Sequence, residues 1–157
     1  MSQRAEALAA KFEQANNDVI AAVEGCSDGQ WSATCEAEAW PVSVTAHHIA
    51  GGYPLIAGLA QAMAGGAQFP PLTLDVIDKG NADHARQFAS VSKQDTLAML
   101  KDSGRAAAGV VRGLSDEQLD KTAVVLAGAP EMNTEQMIEA VLIGSAVGHL
   151  ASIRKAI

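Results

Sequence analysis

The sequence is poor in the residues on which several protein classes depend. It has two cysteines, Cys26 and Cys35, which excludes a disulfide-dense scaffold. Aromatic residues make up only 4% of the chain, which disfavours an all-β fold because aromatic and β-branched residues favour strands. Lysine and arginine number 11 against 18 acidic residues, a net charge of −7. A nucleic-acid partner is therefore not expected, since binding phosphates requires a basic surface.

Long apolar runs are also missing. The N-terminal residues alternate between polar and apolar, unlike a signal peptide. No window of 18 uncharged, strongly apolar residues suits a bilayer, so we expect no membrane partner. These absences predict a cytoplasmic protein whose two thiols are free.

Alanine and helical periodicity are what the sequence has in abundance. Alanine accounts for 31 of the 157 residues, and it is the best helix former. The length suits one domain, and no linker interrupts residues 1–157. Apolar spacings of three and four predict five helices. They are a first helix between Ser2 and Gly25, a second from near Pro41 to Gly65 that Pro54 kinks or splits, a third over Leu74–Ser90, a fourth from Ser92 to Leu114, and a last one from Asn133 or Thr134 to the C-terminus. The predicted fold class is all-α, a helical bundle.

Several polar residues fall on the apolar faces of these helices. These residues are His48 on the second helix, Asn81 and His84 on the third, and Ser145 and His149 on the last; His47 is expected to face away. Burying an imidazole or amide without partners costs about 1–3 kcal/mol, so we expect these groups to meet one another, water or a metal. The alternative is that each histidine is a hydrogen-bonded core residue.

Other chemistries have weaker support. No HxxxH or HExxH spacing occurs, so one helix does not supply two metal ligands. Ser145 and His149 are one turn apart and could form a nucleophile–base pair, but no acidic residue lies nearby in sequence to orient the imidazole. Cys35 precedes Glu36, and an adjacent carboxylate disfavours a thiolate. No residue is assigned a catalytic role on these grounds.

Four sequence segments and two single residues resemble the DinB-like superfamily. Residues 40–49, WPVSVTAHHI, are similar to its motif of a tryptophan followed eight residues later by a histidine, here His48. Residues 27–31 and 114–119, with Ile77 and Asn81, look like the subgroup that contains mycothiol-dependent maleylpyruvate isomerases. Residues 148–153, GHLASI, resemble the closing motif that contains His149.

The resemblance implies a four-helix bundle with a crossover connection, in many members a homodimer. It implies a divalent metal, zinc or nickel, held by His48, His149 and a third group on the last helix. It also implies a reaction that uses a low-molecular-weight thiol such as mycothiol, bacillithiol or glutathione, a transferase or an isomerase. Asn81, Ser145 and Trp40 would then contact the small-molecule ligand.

Ser145 departs from the pattern of the family. It stands where a histidine or glutamate ligand is expected, and a neutral hydroxyl is a poor ligand for zinc or nickel. His84 is the remaining candidate for a third ligand, and we expect a metal to be bound weakly or not at all. Two alternatives to the enzyme therefore stay open: a metal-free relative that binds a small ligand without chemistry, and a structural or partner-binding bundle.

Overall fold

The helices begin and end close to where the sequence predicts. The computed structural model describes residues 1–157. Its helices are α1 (Gln3–Glu24), α2 (Asp28–Trp31), α3 (Val42–Ala64), α4 (Leu74–Gln87), α5 (Lys93–Arg112), α6 (Asp116–Leu119), α7 (Thr134–Met137) and α8 (Gly144–Ala156). The side chains of Ser2 and Thr73 cap α1 and α4 by accepting hydrogen bonds from backbone N–H groups. These caps confirm the predicted starts of the first and third helices.

Four long helices form the bundle. Helix α1 packs against α5 and α8, and α3 packs against the same two, so α1 and α3 lie on opposite corners. The chain therefore crosses the bundle between α1 and α3 and again between α5 and α8. Helix α4 lies outside this ring, beside α3, and buries none of its residues completely. The predicted all-α bundle with a crossover is confirmed.

Two short hairpins lie between the long helices. Strands β1 (Thr34–Cys35) and β2 (Trp40–Pro41) pair antiparallel just before α3. Strands β3 (Thr122–Ala123) and β4 (Met132–Asn133) pair antiparallel before α7, in a segment whose sequence is compatible with a loop or a short strand. Strands of two residues carry too little periodicity to be recognised from sequence. The first hairpin matters most, because it brings its loop to the end of α8.

The last long helix is continuous but irregular. A π-helical turn, Ile138–Ile143, joins α7 to α8, and π turns are frequent at functional sites. After this turn α8 presents two faces, a buried one and a half-buried one. The buried face carries Ala146, Leu150 and Ile153, and the half-buried face carries Ser145, His149 and Ser152.

The helix Thr134–Ala156 is long and apolar enough to cross a membrane by length and composition, with a mean hydropathy of 1.3 over its most apolar window. Its large apolar side chains, among them Ile138, Leu142 and Leu150, pack in the protein core. A core helix of a bundle passes the same test of length and composition.

Pro54 neither splits α3 nor ends it. Proline lacks the N–H that would bond to the carbonyl of Ala50 four residues earlier. The Oγ of Ser103 on α5 lies 3.0 Å from that carbonyl oxygen and 2.5 Å from the carbonyl oxygen of Met99, so its single proton is shared between the two acceptors. The neighbouring helix therefore offers a donor to the group that proline frees, and α3 continues for ten more residues.

The apolar face of α3 differs from the predicted one. The apolar spacing of three and four that begins at Val44 and His48 predicts that Leu55 faces inward, but Leu55 is 77% exposed, whereas Tyr53 is 1% exposed. Alanine and glycine are so frequent in this helix that apolar residues occur on most of its faces, which makes the spacing ambiguous.

A buried polar link joins three helices in the core. Tyr53 Oη on α3 donates to Asn16 Oδ1 on α1 at 2.9 Å, and Asn16 Nδ2 donates to the carbonyl of Leu100 on α5 at 3.0 Å. A Cβ at Gly104 would lie 2.2 Å from Asn16 Nδ2. Gly104 thus allows α5 to approach the asparagine, and the side chain of Tyr53 is fixed at the back of the candidate site.

Candidate functional site

A cleft of about 830 Å³ opens between α3, α4 and α8. At one end it adjoins a shallower hollow of about 380 Å³ beside the first hairpin. The cleft is apolar over most of its wall, and its imidazoles lie at this junction. Of the residues predicted for the site, His48, Asn81, His84, Ser145 and His149 line the cleft, and Trp40 lines the hollow together with His48, Asn81 and His149. The structure therefore brings all six together.

His48 projects between the cleft and the hollow. Its ring centroid lies 5.1 Å from that of His149 and 5.2 Å from that of Trp40, both edge to face. Burial, followed by the charges of His149 and His84, lowers the pKa of His48 to about 4. The imidazole is therefore neutral at physiological pH. It makes no hydrogen bond within the protein, so a ligand can reach its nitrogens.

His149 is oriented by a carboxylate that the sequence does not single out. Its Nδ1 lies 2.8 Å from Glu38 Oε1, and the hydroxyl of Ser152 donates to the other oxygen of Glu38. Burial alone raises the pKa of Glu38, but the hydrogen bonds from Ser152 and His149 outweigh it and the pKa is lowered. An ionised carboxylate only accepts, so Nδ1 of His149 carries the proton. Nε2 of a neutral His149 then keeps its lone pair.

The first hairpin positions Glu38. Cys35 pairs with Trp40, and the loop between them turns through Ala39, whose φ is +57°. A left-handed conformation costs a non-glycine residue about 1–2 kcal/mol, and such strain is found at functional sites. In sequence, Glu38 has the pattern of a solvated loop. The only available signal is its place two residues before Trp40, where the recognised motif begins.

His47 corrects the prediction that it faces away from the interior. It is 8% exposed, and its Nδ1 lies 2.8 Å from Nε2 of His84. The ring of Phe88 stacks on it at a centroid distance of 4.1 Å. Helix α4 lies outside the four-helix ring, so a side chain facing away from the bundle core still becomes buried against it. Burial lowers the pKa of both His47 and His84, which favours a neutral pair.

The donor set does not fit a metal site with three protein ligands. No group of three or more histidine, cysteine, aspartate or glutamate side chains is arranged to hold a metal ion. His48 and His149 converge, but Ser145 offers a neutral hydroxyl and Nε2 of His84 is taken by His47. Structural and catalytic zinc sites use at least three protein ligands. The predicted roles of His48, His149 and His84 as ligands stay predictions.

Glu38 also bears on whether Ser145 and His149 form a nucleophile–base pair. The missing element of a nucleophile–base pair was an acidic group to orient the histidine, and Glu38 supplies one from 111 residues away. Ser145 itself makes no hydrogen bond to His149 in the structure, and such a bond would mark it as an activated nucleophile. The geometry thus indicates an oriented base without a protein nucleophile.

Comparisons with known proteins agree with the fold. The model of a family described as the DinB superfamily matches residues 11–145. An uncharacterized protein from Clostridium difficile 630 has a similar structure, with a TM-score of 0.76 and 13% identity over 99% of this chain and 96% of the other. A protein from Streptococcus pneumoniae has the same TM-score and identity, over 99% and 91%. At this identity the two structures show the fold alone. No curated protein matches the sequence.

Proposed function

The chain belongs to the DinB superfamily, and from this premise we propose that it is a thiol-dependent transferase or isomerase acting on a small molecule in the cleft. The observation that carries the proposal is the hydrogen bond between Glu38 and His149 at the polar end of an apolar cleft. A carboxylate that fixes the tautomer of a histidine is the arrangement of a general base. The choice of a thiol as the acid rests on the resemblance.

The proposed reaction begins with proton transfer from the thiol. The S–H proton passes to Nε2 of His149, and the sulfur forms a C–S bond with an electrophilic carbon of the bound substrate. In a transferase the bond from that carbon to its leaving group then breaks, the leaving group departs with the bonding electron pair, and His149 releases its proton to the leaving group or to solvent. In an isomerase that carbon is one end of a conjugated double bond, whose π electrons move to the conjugated group as the C–S bond forms. After rotation about the resulting single bond the double bond forms again, the C–S bond breaks, and the sulfur recovers its proton from His149. His48, neutral and adjacent, and the amide of Asn81 hydrogen-bond to the substrate.

A divalent metal is not needed for these steps. The residues present do not form a three-ligand site, so no step is assigned to a metal. A weakly bound zinc or nickel ion at His48 and His149 stays a separate hypothesis, for which Ser145→His is the test described below. The cytoplasm and a homodimer are the proposed setting, and both cysteines are buried and free.

Turnover of a neutral electrophile tests the proposal. With 1-chloro-2,4-dinitrobenzene and 2-mercaptoethanol, a C–S bond replaces the C–Cl bond, chloride leaves, and the thioether is followed by its absorbance. We expect the wild type to accelerate this reaction and His149→Ala to lose a factor of about 10² or more. Glu38→Gln should lower kcat while KM changes little, because Glu38 positions the base and does not touch substrate.

Glu36→Gln is the matched control for Glu38→Gln. Glu36 lies in the same hairpin loop but is exposed and outside the cleft, so its variant should keep the wild-type rate. Catalysis equal to the wild type in His149→Ala, or no acceleration by the wild type with any thiol, would contradict the proposed reaction.

Ser145 favours a second candidate, a binding protein without catalysis. It leaves the ligand set of the family incomplete while the cleft remains open. This candidate predicts that the same electrophile binds with a measurable Kd but that neither a thiol nor added zinc leads to product.

A further inference from the structure

The cleft has a polar end and an apolar end. Nδ1 of His47 on α3 lies 2.8 Å from Nε2 of His84 on α4, and this contact marks the polar end. Eight residues further along α3 and eight residues back along α4, Leu55 and Val76 line the other end. The two helices therefore run antiparallel along the cleft, and each contributes an imidazole at one end and an aliphatic side chain at the other.

The last helix shows the same change from polar to apolar. His149 lines the polar end, and Leu142, seven residues before it, lines the apolar wall. On α3 the separation of His48 from Leu55 is also seven residues. Because a helix rises about 1.5 Å per residue, the apolar part of the cleft is about 10 Å long.

No polar side chain in the apolar part is free to bind a ligand. Tyr53 is the one polar residue there, and its hydroxyl already donates to Asn16 in the core. Asp83, the charged residue that lines the cleft, lies at the polar end and forms ion pairs with Lys79 and Arg86. A charged or polar substituent in the apolar part would lose its hydration without gaining a partner, so this part suits a hydrocarbon.

The apolar wall continues to the mouth of the cleft. Leu55 and Val76 are 77% and 60% exposed although they line the cleft, and exposed apolar side chains that adjoin a cavity are typical of ligand-binding grooves. Between them and the imidazoles the cleft is lined by Gly51 and Gly80, and a Cβ at Gly80 would meet nothing within 4 Å. The middle of the cleft is therefore open, so one extended molecule can reach from the imidazoles to the mouth.

We propose that the substrate carries an extended alkyl chain of about eight carbons, with its reacting end at His48 and His149 and the end of its chain between Leu55 and Val76. A zigzag of C–C bonds advances about 1.3 Å per carbon, so a chain of this length covers the apolar part of the cleft. The inference rests on the proposed function, because it names the substrate class of the same site. In the proposed reaction the chain is attached to the electrophilic carbon that the sulfur attacks.

Unreactive alcohols of increasing length test the inference separately from catalysis. Calorimetric titration with n-butanol, n-hexanol, n-octanol and n-decanol keeps the hydroxyl at the imidazoles and varies only the chain. We expect Kd to fall about twofold to fourfold for each methylene up to n-octanol, because each one leaves water for the apolar wall. From n-octanol to n-decanol Kd should change less than about twofold in total, because the added carbons lie outside the cleft.

Two variants and a matched control locate the chain. Val76→Asn should weaken the binding of n-octanol at least about fivefold and leave n-butanol unchanged, because the short chain does not reach residue 76. Leu74→Asn is the control, since Leu74 is 64% exposed on the same helix but lies outside the cleft, and its variant should bind every alcohol as the wild type does. Gly80→Leu fills the middle of the cleft and should remove the gain in affinity from n-butanol to n-octanol. All three positions are exposed, so these variants should fold normally.

The outcomes separate this inference from the proposed function. Equal Kd values across the series, a fall in Kd that continues unchanged to n-decanol, or equal losses in Val76→Asn and Leu74→Asn would overturn the inference. Turnover of 1-chloro-2,4-dinitrobenzene by the same protein would then leave the proposed function standing. A chain-length dependence that Val76→Asn and Gly80→Leu abolish, in a protein without turnover, would support the alkyl chain and overturn the proposed reaction alone.

Discussion

Replacing Gly104 by alanine tests the buried link between α1, α3 and α5. On an open helix surface this substitution stabilises by about 1 kcal/mol through helix propensity. Here the new Cβ would lie 2.2 Å from Asn16 Nδ2, so the amide must move. Asn16 is 6% exposed and Tyr53 is 1% exposed, so water cannot replace the hydrogen bonds that the amide makes.

The gain in helix propensity and the loss of the Asn16 hydrogen bonds change the free energy of unfolding in opposite directions, and the loss should be larger. Breaking the bonds from Tyr53 Oη and to the Leu100 carbonyl leaves buried polar groups unpaired, at about 1–3 kcal/mol for each group. Subtracting the helix propensity gives a net destabilisation of about 2 kcal/mol. For a chain of this size that lowers Tm by about 4–8 °C.

The assay is chemical denaturation of the four proteins of a double-mutant cycle: the wild type, Gly104→Ala, Asn16→Ala and the double mutant. In an Asn16→Ala background the obstacle is gone, so Gly104→Ala should change sign and stabilise by up to about 1 kcal/mol. Gly109→Ala is the matched control on the same helix, because a Cβ there meets nothing within 4 Å. A neutral or stabilising effect of Gly104→Ala in the wild-type background would refute the reasoning.

Three further predictions concern the site and the helix that carries it. Ser145→His would place a third imidazole beside His48 and His149 and complete a set of three metal ligands. Competition with a chromophoric chelator should then show zinc or nickel binding at least about tenfold tighter than in the wild type. This gain in affinity should disappear when His48→Ala is added. Ser103→Ala removes the hydroxyl that the carbonyl oxygens of Ala50 and Met99 share and should destabilise by about 1 kcal/mol in urea. In a Pro54→Ala background, where residue 54 regains its N–H, the loss should shrink, and an undiminished loss would contradict the role assigned to Ser103. Glu38→Gln should be less stable than the wild type at pH 7. The pKa of Glu38 is lower in the folded than in the unfolded protein, so the ionised carboxylate stabilises the fold above the unfolded pKa of about 4.3, and this stability is lost as pH falls through the folded pKa. The free energies of unfolding of the two proteins should therefore converge in acid, and a constant difference from pH 7 to 3 would count against an ionised Glu38.

The fold could be predicted from the sequence because the spacing of apolar residues and the helix caps are local features of the sequence. The buried residues of α1 and α5 follow the predicted spacing, with Leu8, Phe12, Ala15, Val19 and Val23 on α1 and Leu100, Gly104, Ala107 and Val111 on α5. Helix caps and terminal glycines then mark the ends. The buried face of α3 was harder to predict from the sequence, because alanine and glycine occur on most sides of this helix. Spacing alone then does not indicate which side packs against the core.

The site was accessible only in part, for a physical reason. Histidines on apolar helix faces stand out, and the structure brings His48, His84 and His149 together. His47 was misplaced because its burial comes from α4, an element outside the bundle, and no periodicity within α3 reports on it. Long-range polar contacts are invisible to spacing, and the bond between Glu38 and His149 spans 111 residues.

The position of the carboxylate separates this site from a three-ligand metal centre. In such a centre the third donor lies beside the two imidazoles and faces the metal. Here Ser145 offers only a neutral hydroxyl, and the carboxylate of Glu38, which lines the hollow and not the cleft, lies 2.8 Å from Nδ1 of His149. A carboxylate bonded to Nδ1 fixes which nitrogen of the imidazole carries the proton, and this suits proton transfer more than it suits ligation.

The strained backbone of Ala39 holds the hairpin loop that provides the Glu38 carboxylate. Ala39→Gly should therefore relieve about 1 kcal/mol of strain and stabilise the fold, while the position of Glu38 becomes less fixed and kcat falls. A variant with unchanged stability and unchanged turnover would show that the loop conformation contributes nothing to the site.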